Sequence, residues 1–207
     1  MVLLLMIAAG AATLTPPRPI EPSGWIKQED YPAASVQAAE RGYFLAHITT
    51  SSSGTPLHCE PVRSSAFARS ICAAVMQRAR FDPALDRNEQ ATTGLYLHRV
   101  TFRFPGKNLP PAPPRYVMAL TVDRLPSRSP DPADIHVALE VSADGRIADC
   151  TPLRSRQRRD DGQLRTIACS QLTQSYKPPI AEDGRGRALA SVQSALVRFQ
   201  TPRSAKK

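Results

Sequence analysis

Four cysteines (Cys59, Cys72, Cys150, Cys169) and four histidines (His47, His58, His98, His136) carry the chemistry to hold a metal, attack a substrate or cross-link the fold. No C-x-x-C occurs, and the histidines show no ligand spacing. His47 and His58 fall on the two strands of one predicted hairpin, where they read as a surface cross-strand pair. Glu29 and Asp30 could form an acid pair, but adjacent carboxylates are usually solvated or cap a following helix. G-x-S-x-G, H-E-x-x-H and phosphate-loop motifs are absent, and neither cysteine motif resembles a nucleophile site. The expectation is a non-enzymatic protein with no cofactor and no metal, whose cysteines form disulfides.

The cysteines sit in a motif written twice. Gly54 to Arg63 reads GTPLHCEPVR and Gly145 to Arg154 reads GRIADCTPLR, a shift of 91 residues that also carries Ser64 onto Ser155. The second cysteine of each copy lies in a helical pattern at a shift of 97, where Phe67, Ile71, Cys72 and Val75 match Leu164, Ala168, Cys169 and Leu172. Phe81-x-Pro83 matches Tyr176-x-Pro178, and Arg103-Phe104 matches Arg198-Phe199, both at a shift of 95. Matches in one order on one secondary-structure pattern indicate an internal duplication. Equivalent cysteines then do equivalent work, one on the second hairpin strand and one on the helix packed over it. The bridges expected are Cys59–Cys72 and Cys150–Cys169, worth about 3 kcal/mol each in the chain-entropy account.

The elements that must position these residues follow from local signals. An Ala-rich run after Pro32 predicts a short helix ending before Gly42. Tyr43 to Thr50, a turn over Ser51 to Gly54, and Leu57 to Val62 read as a hairpin. Ser64 or Ser65 caps a helix whose Phe67, Ile71 and Val75 share one face, and Leu95 to Phe104 alternates as a strand. The second copy repeats this with Ile135 to Val141, Ile147 to Leu153, a helix from Asp160 or Asp161, and a strand over Ala190 to Phe199. Between the copies Tyr116 to Val122 is apolar and reads equally as strand or helix.

Residues Val2 to Leu14 are apolar or small, broken by Thr13. As a helix the run is about 20 Å long, short of the bilayer's roughly 30 Å of hydrocarbon. Small residues such as Ala9-Gly10-Ala11 suit cleavage, so a signal peptide is expected, with the mature chain starting between Ala11 and Thr15. The alternative is a retained short anchor. The net charge is +9, but the cations are spread through loops and the tail, interrupted by acids and without an aromatic platform. A solvated face rather than nucleic-acid binding is expected.

Several stretches of the first copy resemble the C-terminal domain of the TonB energy transducers. They are Tyr31-Pro32 before a short helix, the hairpin turn at Gly54, Val62-Arg63-Ser64-Ser65 leading into a helix, Arg80-Phe81-Asp82-Pro83-Ala84 at its end, and the closing Val100-Thr101-Phe102-Arg103-Phe104. The resemblance covers Trp25 to Phe104; the second copy lacks the Tyr-Pro start and carries SYKPPI in place of RFDPA. A full transducer also has a firm membrane anchor and a long Pro-rich spacer, whereas Thr15 to Asp30 reaches at most about 55 Å. The resemblance implies a periplasmic protein that binds a TonB-dependent outer-membrane receptor, in transmembrane transport, by adding a receptor segment to the last strand of its sheet. The residues it implies are Leu97, His98, Arg99, Val100 and Thr101, with Tyr31 and Pro32 nearby. The other reading of that strand is that His98 and Arg99 blunt an edge against aggregation.

The fold class expected is α+β: two tandem two-layer domains, each a three-stranded antiparallel sheet packed on one or two helices. The layout expected is a signal peptide or short anchor over 1–14 and a Pro-rich linker over 15–24. Domain 1 covers 25–105, a second linker 106–115, domain 2 116–202, and a basic tail 203–207. Membrane association is expected only if the N-terminal segment is retained, and then as an inner-membrane anchor facing the periplasm. The alternative function is a structural scaffold in which the two copies pack on each other and no receptor takes part.

Overall fold

The computed structural model describes residues 13–153 and 162–202. The fold is α+β, with α1 (Ala33–Gln37), β1 (Gly42–Thr50), β2 (Pro56–Pro61), α2 (Ala66–Arg78) and β3 (Gly94–Phe102) in the first copy. After β4 (Met118–Thr121) the second copy runs β5 (Ala133–Val141), β6 (Ile147–Pro152), α3 (Gly162–Ser175) and β7 (Ser191–Gln200). The signal segment expected over 1–14 lies outside the described residues except for Thr13 and Leu14, and the basic tail and the helix start expected at Asp160 or Asp161 lie outside them as well.

Local chemistry sets the element ends. Ser65 caps α2, accepting from the Ala68 N–H at 3.0 Å. Both hairpins turn on a glycine with φ 79°, Gly54 and Gly145, and in both turns the glycine N–H donates to the serine C=O three residues back. Each helix turns one apolar stripe to its sheet: Ala68, Ile71 and Val75 from α2, and Leu164, Ala168 and Leu172 from α3. The disulfides are Cys59–Cys72 and Cys150–Cys169, each with Cα atoms 5.5 Å apart, and each ties the second hairpin strand to the overlying helix.

The duplication extends further than the sequence matches. A small hairpin, Ala84–Leu85 with Ala91–Thr92, recurs as Ala181–Glu182 with Ala188–Leu189. Its turn is copied bond for bond: Asn88 and Gln90 N–H groups donate to Asp86 Oδ1, and Arg185 and Arg187 N–H groups donate to Asp183 Oδ1. Those donors, with the Arg187 side chain, hold the Asp183 carboxyl down to about 2. Thr50 lies opposite Gly94, and Val141 opposite Ser191, so the last strands correspond at a shift of 97. The sequence alignment at 95 is therefore corrected: the counterpart of Arg99 is Leu196, not Ser194.

Two separate three-stranded sheets were expected, and the halves instead share one mixed seven-stranded sheet in the order β6-β5-β7-β3-β1-β2, with β4 on β7. The halves join where β3 and β7 run parallel, at Gly94–Val192 and Leu95–Gln193. Gly94 leaves no room for a side chain within the first half, since a Cβ there would lie 2.6 Å from Pro17 Cγ and 2.8 Å from Thr50 Oγ1. A third cluster of Leu14, Ala84, Ala138 and Val192 fills the seam. The small hairpins reach across it reciprocally: Arg87 pairs with Asp149, and the Glu182 N–H donates to Thr49 Oγ1 at 3.3 Å.

The segment expected as a Pro-rich linker over 15–24 is folded onto the first half. Arg18–Ile20 pairs antiparallel with Arg80–Asp82, and Thr15 bridges Leu85. Leu14 is 1% exposed, so the folded body includes it.

Candidate functional site

The last strand of the first half has one edge used and one open. The Val62 N–H donates to the Leu45 C=O at 2.9 Å, which turns the main chain of Leu45 toward β2 and that of Phe44, Ala46 and Ile48 toward β3. Their partners Val100, His98 and Tyr96 are thereby bonded inward. Leu97, Arg99 and Thr101 point their N–H and C=O groups outward, the side on which the Thr93 C=O accepts from Val192 N–H at 3.0 Å. Beyond Leu95 no described backbone group pairs with this edge.

In the second half the equivalent edge is filled. β4 lies parallel on β7 from Met118–Val197 to Thr121–Gln200. The Val117 N–H donates to the Leu196 C=O, and the Val122 N–H to the Gln200 C=O, both at 2.9 Å. Met118, Leu120 and Val122 turn inward onto the second core. Leu196 and Gln200 correspond to Arg99 and Arg103, the stretch that is open in the first half.

Beside the open edge runs a groove of about 540 Å³, walled by His98 to Arg103 on one side and by Pro22 to Tyr31 on the other. Trp25, 3% exposed, anchors the second wall. Its indole N–H donates to the Ile20 C=O at 2.9 Å, and its ring lies 5.0 Å from Phe81 and 5.2 Å from His98. Asp30 pairs with Arg78, whose Nε also donates to the Trp25 C=O at 2.7 Å, so the segment is clamped to α2. This, rather than solvation or an acid pair, is the work of Asp30. Tyr31 stacks 4.9 Å from Phe67 and 5.5 Å from Phe102, and its hydroxyl donates to the Glu40 C=O. Burial, with the Glu40 charge second, raises the Tyr31 pKa.

Of the residues singled out in the sequence, Tyr31, His98, Arg99, Val100 and Thr101 line this groove, and Pro32 does not. Leu97 is 42% exposed on the sheet face away from α2. On that face the Arg99 guanidinium donates to the Pro113 and Pro114 C=O groups at 2.8 and 3.0 Å, so the second linker crosses behind the strand. Compared with known proteins, the chain matches no family model, no curated protein and no solved structure.

His98 is 4% exposed, and its Nε2 has no hydrogen-bond partner among the described residues. Burial pushes its pKa down to about 4. His47 and His58 do not face each other: His47 lies opposite Glu60, and His58 opposite Thr49. Among the described residues no group of three or more His, Cys, Asp or Glu could hold a metal ion, and no helix is long and apolar enough to cross a membrane. Trp25, Lys27 and β4 were not assigned to the site from sequence. The available signal was a lone Trp-Ile pair inside a polar, Pro-rich segment.

Proposed function

We propose that the chain is a periplasmic protein-binding module that takes an extended segment of an envelope partner by strand addition along Leu97–Thr101. The observation that carries this reading is the difference between the two halves. One edge of a duplicated fold is satisfied by the chain's own strand, and the equivalent edge is left with outward N–H and C=O groups beside a groove. Unpaired strand edges are templates for another chain, and the main-chain ladder supplies the affinity. The TonB resemblance supplies the partner class, an outer-membrane receptor, and the two disulfides are consistent with an exported protein. On this reading the two copies are tandem TonB-like domains that have docked edge to edge, the first binding and the second supporting.

Proline at an outward position removes a donor and blocks the ladder without breaking an inward bond. Arg99→Pro is expected to lower capture of receptors, in cross-linked pull-downs from envelope fractions, by at least about tenfold, or about 1.4 kcal/mol. Leu196→Pro is expected to lower stability and leave capture in place, with thermal melts run on both proteins. Equal loss of capture in two folded variants would show that the edge of the first half is not the site. The docking of the halves also favours a second reading, the structural scaffold, which the same pull-down separates by recovering only copies of this chain.

A further inference from the structure

His98 sits where the duplicated fold needs no polar group. Its counterpart in the second half is Ala195, 5% exposed in the second core, so an apolar side chain does the packing at this position. A buried polar atom without a partner has given up its hydration uncompensated, and such atoms in native proteins call for an explanation. The imidazole lies against Trp25 at 5.2 Å and Tyr96 at 6.1 Å and forms part of the groove wall beside the open edge. Lys27 and Arg103 also line the groove, whereas the Arg99 guanidinium is turned to the other face of the sheet and Lys27 lies 3.9 Å from Glu29.

We infer that His98 is a recognition residue of this edge, and that the segment added there carries an acidic side chain that pairs with the imidazole. The inference rests on the strand-addition reading and names the chemistry of the occupant. A carboxylate brought into this groove satisfies the orphaned Nε2 as an ion pair with the imidazolium. Tyr96 is the titratable group in ring contact with His98, and the charged groups of the neighbouring segment are paired, Lys27 with Glu29 and Asp30 with Arg78. The free protein holds His98 neutral above about 4. Binding therefore takes up a proton, and affinity rises as pH falls toward the range where the partner's own carboxylate titrates. Trp25, packed over the ring, has to shift for the pair to form.

The second half supplies the probe. The register of β4 on β7, continued two residues back, sets position 116 beside Ala195, the counterpart of His98. Two labelled peptides spanning Arg115 to Val122, carrying Tyr116→Glu or Tyr116→Gln, are titrated against the full exported chain by fluorescence anisotropy at pH 7.5 and 5.5. The glutamate peptide is expected to bind more tightly than the glutamine peptide, with the preference growing about tenfold at the lower pH. His98→Leu is expected to bind both equally at both pH values. Histidine NMR of the wild type is expected to show the His98 pKa rising on addition of the glutamate peptide, a readout independent of any variant's folding. If both peptides bind but the preference is absent or survives His98→Leu, the inference falls and strand addition stands. If neither binds the wild type, both fall.

Discussion

At the scale of single residues, His98 ties stability to pH. Its folded pKa, about 4, lies below the ordinary 6.5. The unfolded chain therefore binds more protons between those values, and stability is full above pH 6.5 and drains away as pH falls toward 4. The whole effect is about 3 kcal/mol. His47 shifts in the same direction, lowered by burial against an opposing pull from Glu60. Denaturant unfolding at pH 7.5 and 5.0 is expected to show a loss in the wild type that is clearly smaller in His98→Leu. A pH-independent midpoint would mean that the imidazole finds a partner. This burial runs against hydrophobicity, since Leu97 is 42% exposed while His98 is buried. Strand alternation was legible in LYLHRVTFRF, but which alternate set faces the helix was not. The register against Phe44 and Ile48 decides it, and register is a property of the pairing rather than of the strand.

At the scale of elements, the two disulfides do similar work in different surroundings. Cys59 and Cys72 are each 9% exposed within the first core, whereas Cys150 and Cys169 are half-buried and both line a cleft of about 380 Å³. Exchange needs access of a thiolate to sulfur. Mild dithiothreitol followed by alkylation and peptide mapping is expected to label Cys150 and Cys169 first. Labelling of Cys59 and Cys72 at the same rate would contradict the burial difference. Loss of either bridge is expected to cost about 3 kcal/mol. The hairpins, caps and helices were readable because Gly54, Gly145 and Ser65 act locally and the helical stripes repeat. The strand over Arg18–Ile20 was not, because a short Pro-containing run has no alternation and is recruited by Arg80–Asp82. Met118–Thr121, four residues long, was ambiguous for the same reason until its partner strand was known.

For the molecule as a whole, the seam was the least legible feature. It depends on two parallel residue pairs, which leave no periodic trace in either copy. The seam also bears on the N-terminus, because Leu14 is packed there with Ala84, Ala138 and Val192. If the chain is exported as proposed, N-terminal sequencing is expected to begin at or before Leu14. A mature start at Thr15 would delete a buried leucine, a loss of about 2–5 kcal/mol for full truncation in a core, and would show that the seam closes without it.

Duplicated binding folds usually gain avidity, since a second site engages at the high effective concentration set by the first. Here β4 already lies on the β7 edge, which removes one of the two sites. On the proposed reading the protein is monovalent despite its duplication. Calorimetric titration is expected to give one partner segment per chain, and a tethered pair of segments is expected to bind no more tightly than a single one. On that reading the strand that completes the second half keeps one molecule from clustering two partners, and any bridging between them requires two copies of the chain.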